Sequence, residues 1–252
     1  MDGPFTISGK QRRIDYSIVQ PAPGNTILTY GMSGGKKGIR NYMAYMREIV
    51  KKYPDRLIGC FTYNPRFGVE NGVSEFERHV KENGFRMLKI HSLLHAYRPD
   101  KVTGWIFPVV EKAVRLKVPI LIHTGDPPYS IPSQFYPVIE HFPDAQIILA
   151  HLGTQIGASY NLEAGWMAKK NDNVFVELGL VPQVRIADLV EFLGPEKVIF
   201  ATDTPPNDPG IFLRMLDVLN WERPQGIKIK EEDLEKILGN NIAKMIGLKL
   251  RK

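Results

Sequence analysis

Two histidines and an aspartate close apolar runs of this chain, and their types suit metal-ion chemistry. Val118-Pro119-Ile120-Leu121-Ile122-His123-Thr124-Gly125 is a β-type run that ends in a histidine and a glycine turn. Ala145-Gln146-Ile147-Ile148-Leu149-Ala150-His151-Leu152-Gly153 repeats that form 28 positions later, and Val198-Ile199-Phe200-Ala201-Thr202-Asp203 closes a third run on a carboxylate. Two neutral imidazoles and a carboxylate are the N and O donors that Zn²⁺ or a similar divalent ion takes at about 2.0–2.2 Å. A single histidine after an apolar run is more often a hydrogen-bonded boundary residue than a ligand. Three such endings in one chain favour a shared site.

These residues can act together only if the fold gathers strand ends in one place. Strand-type runs at residues 14–20, 57–63, 85–91, 118–123, 146–151, 173–178 and 197–202 alternate with helical patterns at 39–52, 103–117, 134–141, 159–170, 185–193, 209–219 and 231–246, the last interrupted near Gly239-Asn240. Ser74-x-x-Glu77 reads as a capping box that opens a short helix stopping near Asn83-Gly84. Strands alternating with helices imply right-handed crossovers and a parallel sheet covered by helices. The strand ends His91, His123, His151, Leu178 and Asp203 lie 32, 28, 27 and 25 residues apart, the rhythm of a barrel that fits eight such units into ~250 residues.

Seven strands are visible. The expected fold is therefore a single α/β domain over residues 1–252, a TIM (β/α)8 barrel whose first strand is missing or replaced by a short N-terminal segment, with Phe5-Thr6-Ile7-Ser8 the leftover candidate. No Gly-x-Gly-x-x-Gly follows a strand, which argues against a doubly wound sheet. Barrel active sites lie at the C-terminal rim. Strand alternation groups His123 with Leu121, His151 with Leu149 and Ile147, and Asp203 with Ala201 and Ile199, so all three are expected in the mouth.

Three more residues belong to the candidate site as substrate contacts. His91 ends its strand at the rim, and His95 lies four positions on, where a helical turn would let both rings meet one ion; a contact to substrate or a backbone carbonyl is the simpler reading of His91. Lys89 shares the face of His91 and could anchor a substrate carboxylate, carry a carbamate, or pair inward with Glu177. Glu177, within Val174-Phe175-Val176-Glu177-Leu178, needs a partner if buried, as an ion pair or a substrate contact.

Bulk properties narrow the class. The chain has 252 residues, 43% of them hydrophobic, with 33 Lys and Arg against 27 Asp and Glu, a net charge of +6. The basic residues are scattered in pairs such as Lys36-Lys37, Lys51-Lys52 and Lys169-Lys170, so no stripe marks a nucleic-acid face. The lone cysteine, Cys60, forms no intrachain disulfide, which suits a reducing compartment. No run approaches the ~18 apolar residues of a membrane span, and the opening residues lack a signal-peptide pattern. A cytoplasmic protein acting on a small molecule, without nucleic-acid or membrane partners, is expected; a homo-oligomer is compatible with the sequence.

The three strand endings, with Thr204-Pro205 after Asp203 and the closing Ile237-Leu238-Gly239-Asn240-Asn241-Ile242-Ala243-Lys244-Met245-Ile246-Gly247-Leu248, resemble the amidohydrolase-related (amidohydrolase 2) family over residues 14–248. The resemblance implies a barrel enzyme: a metal-dependent hydrolase, or a decarboxylase of the aminocarboxymuconate-semialdehyde and resorcylate type. By position, His123 resembles the family's metal ligand on strand five. His151 resembles the strand-six histidine that positions or deprotonates the bound water or handles the proton of decarboxylation. Asp203 resembles the strand-eight aspartate that meets the metal and transfers protons. The implied cofactor is a divalent metal ion, zinc first. The chain departs from the family in having no His-x-His pair, its first histidine being His79; either the chain starts after the true first strand, or other ligands serve, or metal is lost.

The leading functional expectation is hydrolysis of a C–N or C–O bond in a small carboxylated substrate by a metal-activated water. Non-oxidative decarboxylation of an aromatic or muconate-type acid is the alternative, and a degenerate barrel that binds a carboxylated ligand without turnover is the third reading. Gly31-Met32-Ser33-Gly34-Gly35 matches a nucleophile elbow, but the last histidine precedes Asp203, the wrong order for that triad. The adjoining loop to Gly38 could hold an anion with its amides and Lys36 at a helix start.

Overall fold

The structure is a computed structural model and describes residues 4–21, 35–155, 158–204 and 208–250, the side chains of residues 35–41, 155 and 158 excepted. The Gly-x-Ser-x-Gly loop and the Lys36 side chain lie outside these residues. The chain opens with an antiparallel hairpin, β1 (Phe5–Ile7) and β2 (Lys10–Arg12). Phe5-Thr6-Ile7-Ser8 is thus not an eighth stave. Its ladder hydrogen bonds go to β2.

The seven expected strands form one parallel sheet. After β3 (Ser17–Val19), helix α1 (Gly35–Lys52) leads to β4 (Leu57–Tyr63), and α2 (Val69–Asn83) to β5 (Phe85–Ile90). Then α3 (Thr103–Leu116) precedes β6 (Ile120–Ile122), and α4 (Tyr136–His141) precedes β7 (Ile147–Leu149). A short antiparallel pair, β8 (Thr154–Gln155) and β9 (Ala158–Ser159), interrupts the alternation before α5 (Asn161–Lys170), β10 (Val174–Glu177), α6 (Gln183–Leu193) and β11 (Val198–Ile199). Helices α7 (Pro209–Met215), α8 (Glu231–Glu235) and α9 (Asn241–Met245) complete the chain.

Helix α2 begins five residues before the Ser74 capping box. Asn64 caps a short turn at Pro65–Phe67 that runs directly into the helix, and this leaves Ser74 exposed in its second turn. Gly84, left-handed at φ 71°, ends α2 where expected. The break at Gly239-Asn240 is a π turn, Lys236–Asn240, between α8 and α9.

Two cores show how the sheet curls. The outer core fills the space between sheet and helices, with Leu88, Ile90, Ile120, Ile122, Ile147 and Leu149 fully buried, each burial stabilising by about 1.5–3 kcal/mol. The inner core takes one residue from every strand: Ile18, Cys60, Met87, Leu121, Ile148, Phe175 and Ile199. Ile242 and Met245 of α9 join it.

Strand β11 has no strand partner on its far side among the described residues. The C-terminal helices cover that edge instead. Phe200 N–H donates to Ile237 O at 2.9 Å, and the Asn241 amide donates to Pro195 O and Val198 O at 2.8 Å each.

Candidate active site

The inward faces of the strands turn polar toward their C-terminal ends. Lys89 follows Met87 on β5 and pairs in register with inward Leu121, and Glu177 follows Phe175 on β10. His123 follows Leu121 one residue beyond β6, its N–H donating to Ile90 O at 3.0 Å. All three are buried.

His151 arrives by another route. Ile148 is the inward residue of β7, while Ile147 and Leu149 belong to the outer core, so an unbroken strand would aim His151 outward. Alternation alone misplaces it. The strand stops at Leu149, and His151 (φ 42°) and Leu152 (φ 48°) take left-handed conformations that cost on the order of 1–3 kcal/mol each.

Glu177 braces this turn. One carboxylate oxygen accepts the His151 N–H at 2.8 Å and the other accepts the Gly179 N–H. Of the alternatives for Glu177, the ion pair with Lys89 is absent among the described residues, where backbone donors hold both its oxygens. Burial nevertheless raises the Glu177 carboxyl to about 7 against the pull of those two N–H groups.

The ring nitrogens form a chain. Asp126 Oδ2 lies 2.6 Å from His123 Nε2, and His123 Nδ1 lies 3.0 Å from His151 Nε2. An ionised carboxylate only accepts, so Asp126 fixes the His123 proton on Nε2 and leaves a lone pair at Nδ1 facing His151. His91 stacks on His123 with centroids 3.7 Å apart and planes 13° off parallel. The His91 and His95 rings sit 6.4 Å apart and tilted, so His91 joins His123 rather than His95.

Burial is the main cause that holds His91, His123 and His151 well below the usual histidine range, and the Lys89 charge adds to it. The three rings are neutral at physiological pH. Burial also lowers the Lys89 ammonium, opposed by Glu177, Cys60 and Asp203.

Asp126 carries a role that strand-end reasoning passed over. Its signal is a carboxylate three positions after a strand-end histidine, within a turn that locks on itself. Gly125 N–H donates to Ser130 O at 2.8 Å, Asp126 N–H to Ser130 Oγ at 3.1 Å, and Ser130 Oγ back to Asp126 O at 2.9 Å. Thr124 ties this turn to the His151 turn by donating to Ala150 O and accepting from Gly153 N–H. Gly125 is needed at the junction: at φ +118°, a Cβ there would lie 2.8 Å from Gly153 O.

Asp203 stands apart. It is exposed beyond the end of β11 with a left-handed φ of 50°, close enough for its charge to act on Lys89 and Glu177. Among the described residues no three His, Cys, Asp or Glu side chains converge on a point that would hold an ion.

Two neutral imidazole nitrogens 3.0 Å apart do match neighbouring ligands of one cation at about 2.0–2.2 Å. A carboxylate behind the other His123 nitrogen is the usual outer partner of a metal-bound histidine. The pair fits a divalent ion, and further donors must complete its coordination.

Comparison with known proteins agrees with this architecture. The structure resembles 5-carboxyvanillate decarboxylase from Novosphingobium aromaticivorans, complexed with manganese and 4-hydroxy-3-methoxy-5-nitrobenzoic acid, with a TM-score of 0.69 and 19% identity over 93% of this chain and 76% of that one. It resembles 2,6-dihydroxybenzoate decarboxylase from Rhizobium with a TM-score of 0.66 and 15% identity over 92% and 84%. A dihydroxybenzoic acid decarboxylase from a Polaromonas species, with bound manganese and 2-nitroresorcinol, gives 0.65 and 18% over 93% and 82%. At these identities the likeness establishes a TIM-barrel fold. No curated protein matches the chain, and no described helix is long and apolar enough to cross a membrane. The amidohydrolase family model matches residues 10–248, so the chain belongs to that family of barrel enzymes.

Proposed function

We propose that this protein is a metal-dependent, non-oxidative decarboxylase of a small hydroxylated aromatic acid. The observation that carries this reading over hydrolysis is the set of structural relatives. Aromatic-acid decarboxylases match 92–93% of this chain, and the strand-end cluster sits where a barrel places its active site.

His123 Nδ1 and His151 Nε2 would hold the divalent ion, with Asp203 as the carboxylate offered at the mouth. The ion, when bound, supplies Lewis acidity toward substrate oxygens. Manganese in two of the relatives supports a divalent ion and does not single out zinc.

The protein's own residues supply the remaining chemistry. Lys89, buried without an ion pair among the described residues, holds the substrate carboxylate or phenolate. His91, flat against His123, offers its ring to the substrate. Glu177 positions His151 through the backbone N–H that one of its oxygens accepts, the other accepting from Gly179. Asp203 relays a proton taken up from solvent to the ring carbon as the C–C bond breaks: the bonding pair stays on that carbon and forms the new C–H bond, and CO₂ leaves.

Product analysis tests the reading. Incubated with Mn²⁺, the protein is expected to convert 2,6-dihydroxybenzoate or 5-carboxyvanillate to the phenol lacking that carboxyl group. Turnover confined to lactones or amides would establish the hydrolase instead, and binding of the acids without any product would establish a non-catalytic barrel.

A further inference from the structure

A cavity of about 360 Å³ lies between α1 and α2 beside the C-terminal half of β4, in the volume range of small-ligand sites. None of the strand-end cluster lines it. Four of its lining residues each hold a buried polar atom without a hydrogen-bond partner among the described residues: Thr62 Oγ1, Asn64 Nδ2, Arg78 Nε and His79 Nδ1. Thr62, Asn64 and His79 are each more than nine-tenths buried. Buried polar groups are normally satisfied, so such a cluster calls for a missing partner.

The donors define that partner. Asn64 Oδ1 already accepts the Arg66 N–H at 3.1 Å, which leaves its NH₂ as the group without a partner among the described residues. Arg78 holds Glu75 at 2.6 Å through one terminal nitrogen, keeping Nε free. Arg47, on the facing helix, has no ion pair among the described residues, and its charge reaches His79 together with that of Arg78. Two guanidiniums against one carboxylate leave the wall cationic. The rest is apolar, with Met43, Phe61 and Phe67. Arginine forks match carboxylates.

We propose that this cavity binds a small carboxylate with an apolar body, the acid group on Arg47, Arg78 and Asn64 and the body against Phe61 and Met43. The site stands independently of the decarboxylase reading. The probe is 4-fluorobenzoate followed by ¹⁹F NMR on the full chain, with benzoate, acetate and inorganic phosphate as competitors.

A bound signal is expected that benzoate displaces and equimolar acetate does not. It should weaken at least about tenfold in Arg47→Met/Arg78→Met and persist in His123→Ala, which alters the barrel mouth two strands away from β4. An unchanged signal in the double variant overturns the proposal. So does displacement by phosphate as readily as by benzoate, which would make the cavity a simple anion or water site. Loss in His123→Ala would make it part of the mouth and equally overturn a second site. Should the double variant unfold, Arg47→Met alone, at a half-buried position without an ion pair among the described residues, gives the same reading.

Discussion

At the residue scale the site depends on Asp126. Its carboxylate sets which nitrogen of His123 faces His151, and outer partners of this kind are worth about 10- to 100-fold in metal affinity or activity. Asp126→Ala is expected to weaken Mn²⁺ binding and lower kcat/KM within that range while leaving the fold intact, and Asp126→Asn, which can still accept from Nε2–H, should recover part of the loss. Metal titration by electron paramagnetic resonance checks this. His79 gives a pH test far from the site. Its ring packs between Phe61 and Phe85, and burial, with Arg78 and Arg47 outweighing Glu75, lowers it from 6.5 to about 4. The unfolded chain therefore takes up the proton first, and stability is lost as pH falls from 6.5 toward 4. At pH 5 the loss is roughly 2 kcal/mol relative to pH 7.5. Urea unfolding at the two pH values should show a drop smaller by that amount in His79→Leu. The strand-end residues were legible in the sequence as side chains able to do chemistry. Asp126 was not, because its role comes from a turn closed by Ser130 rather than from a strand.

At the element scale, alternation along a strand served where strands stay regular and failed where one breaks. His123, Lys89 and Glu177 continue the inward faces of their strands, whereas His151 is turned into the site by two left-handed residues that Glu177 braces. Periodicity cannot register such a turn, since it counts residues and not φ. The seven strands were legible because each is an apolar run between turn signals. The edge beyond β11 was not, because helices cover it, and helical spacing says nothing of which sheet edge a helix will meet. Asn241 is the clamp there. Asn241→Ala removes two 2.8 Å hydrogen bonds to Pro195 O and Val198 O and leaves both carbonyls without that donor, a loss of about 1–3 kcal/mol. Thermal unfolding should show the drop. An unchanged midpoint would mean that the inner core alone holds α9 in place.

At the scale of the whole molecule, the barrel carries polar groups at its rim above an apolar interior layer, and its far edge is covered by helices. Burial keeps the histidines neutral and lowers the Lys89 ammonium, which has no ion pair among the described residues, so the mouth offers neutral nitrogen donors beside one lysine, a setting suited to an anionic, oxygen-rich substrate. The lack of a His-x-His pair leaves His123 and His151 as the paired nitrogen donors. The most direct test is decarboxylation of carboxyl-¹³C-labelled 2,6-dihydroxybenzoate in D₂O with Mn²⁺. The wild-type protein is expected to release ¹³CO₂ with one deuteron entering the ring carbon that lost it, and His123→Ala and Asp203→Asn should each slow release by about 100-fold or more. Release of ¹³CO₂ at an undiminished rate in both variants, or none from the wild-type protein across hydroxylated aromatic acids, would contradict the account.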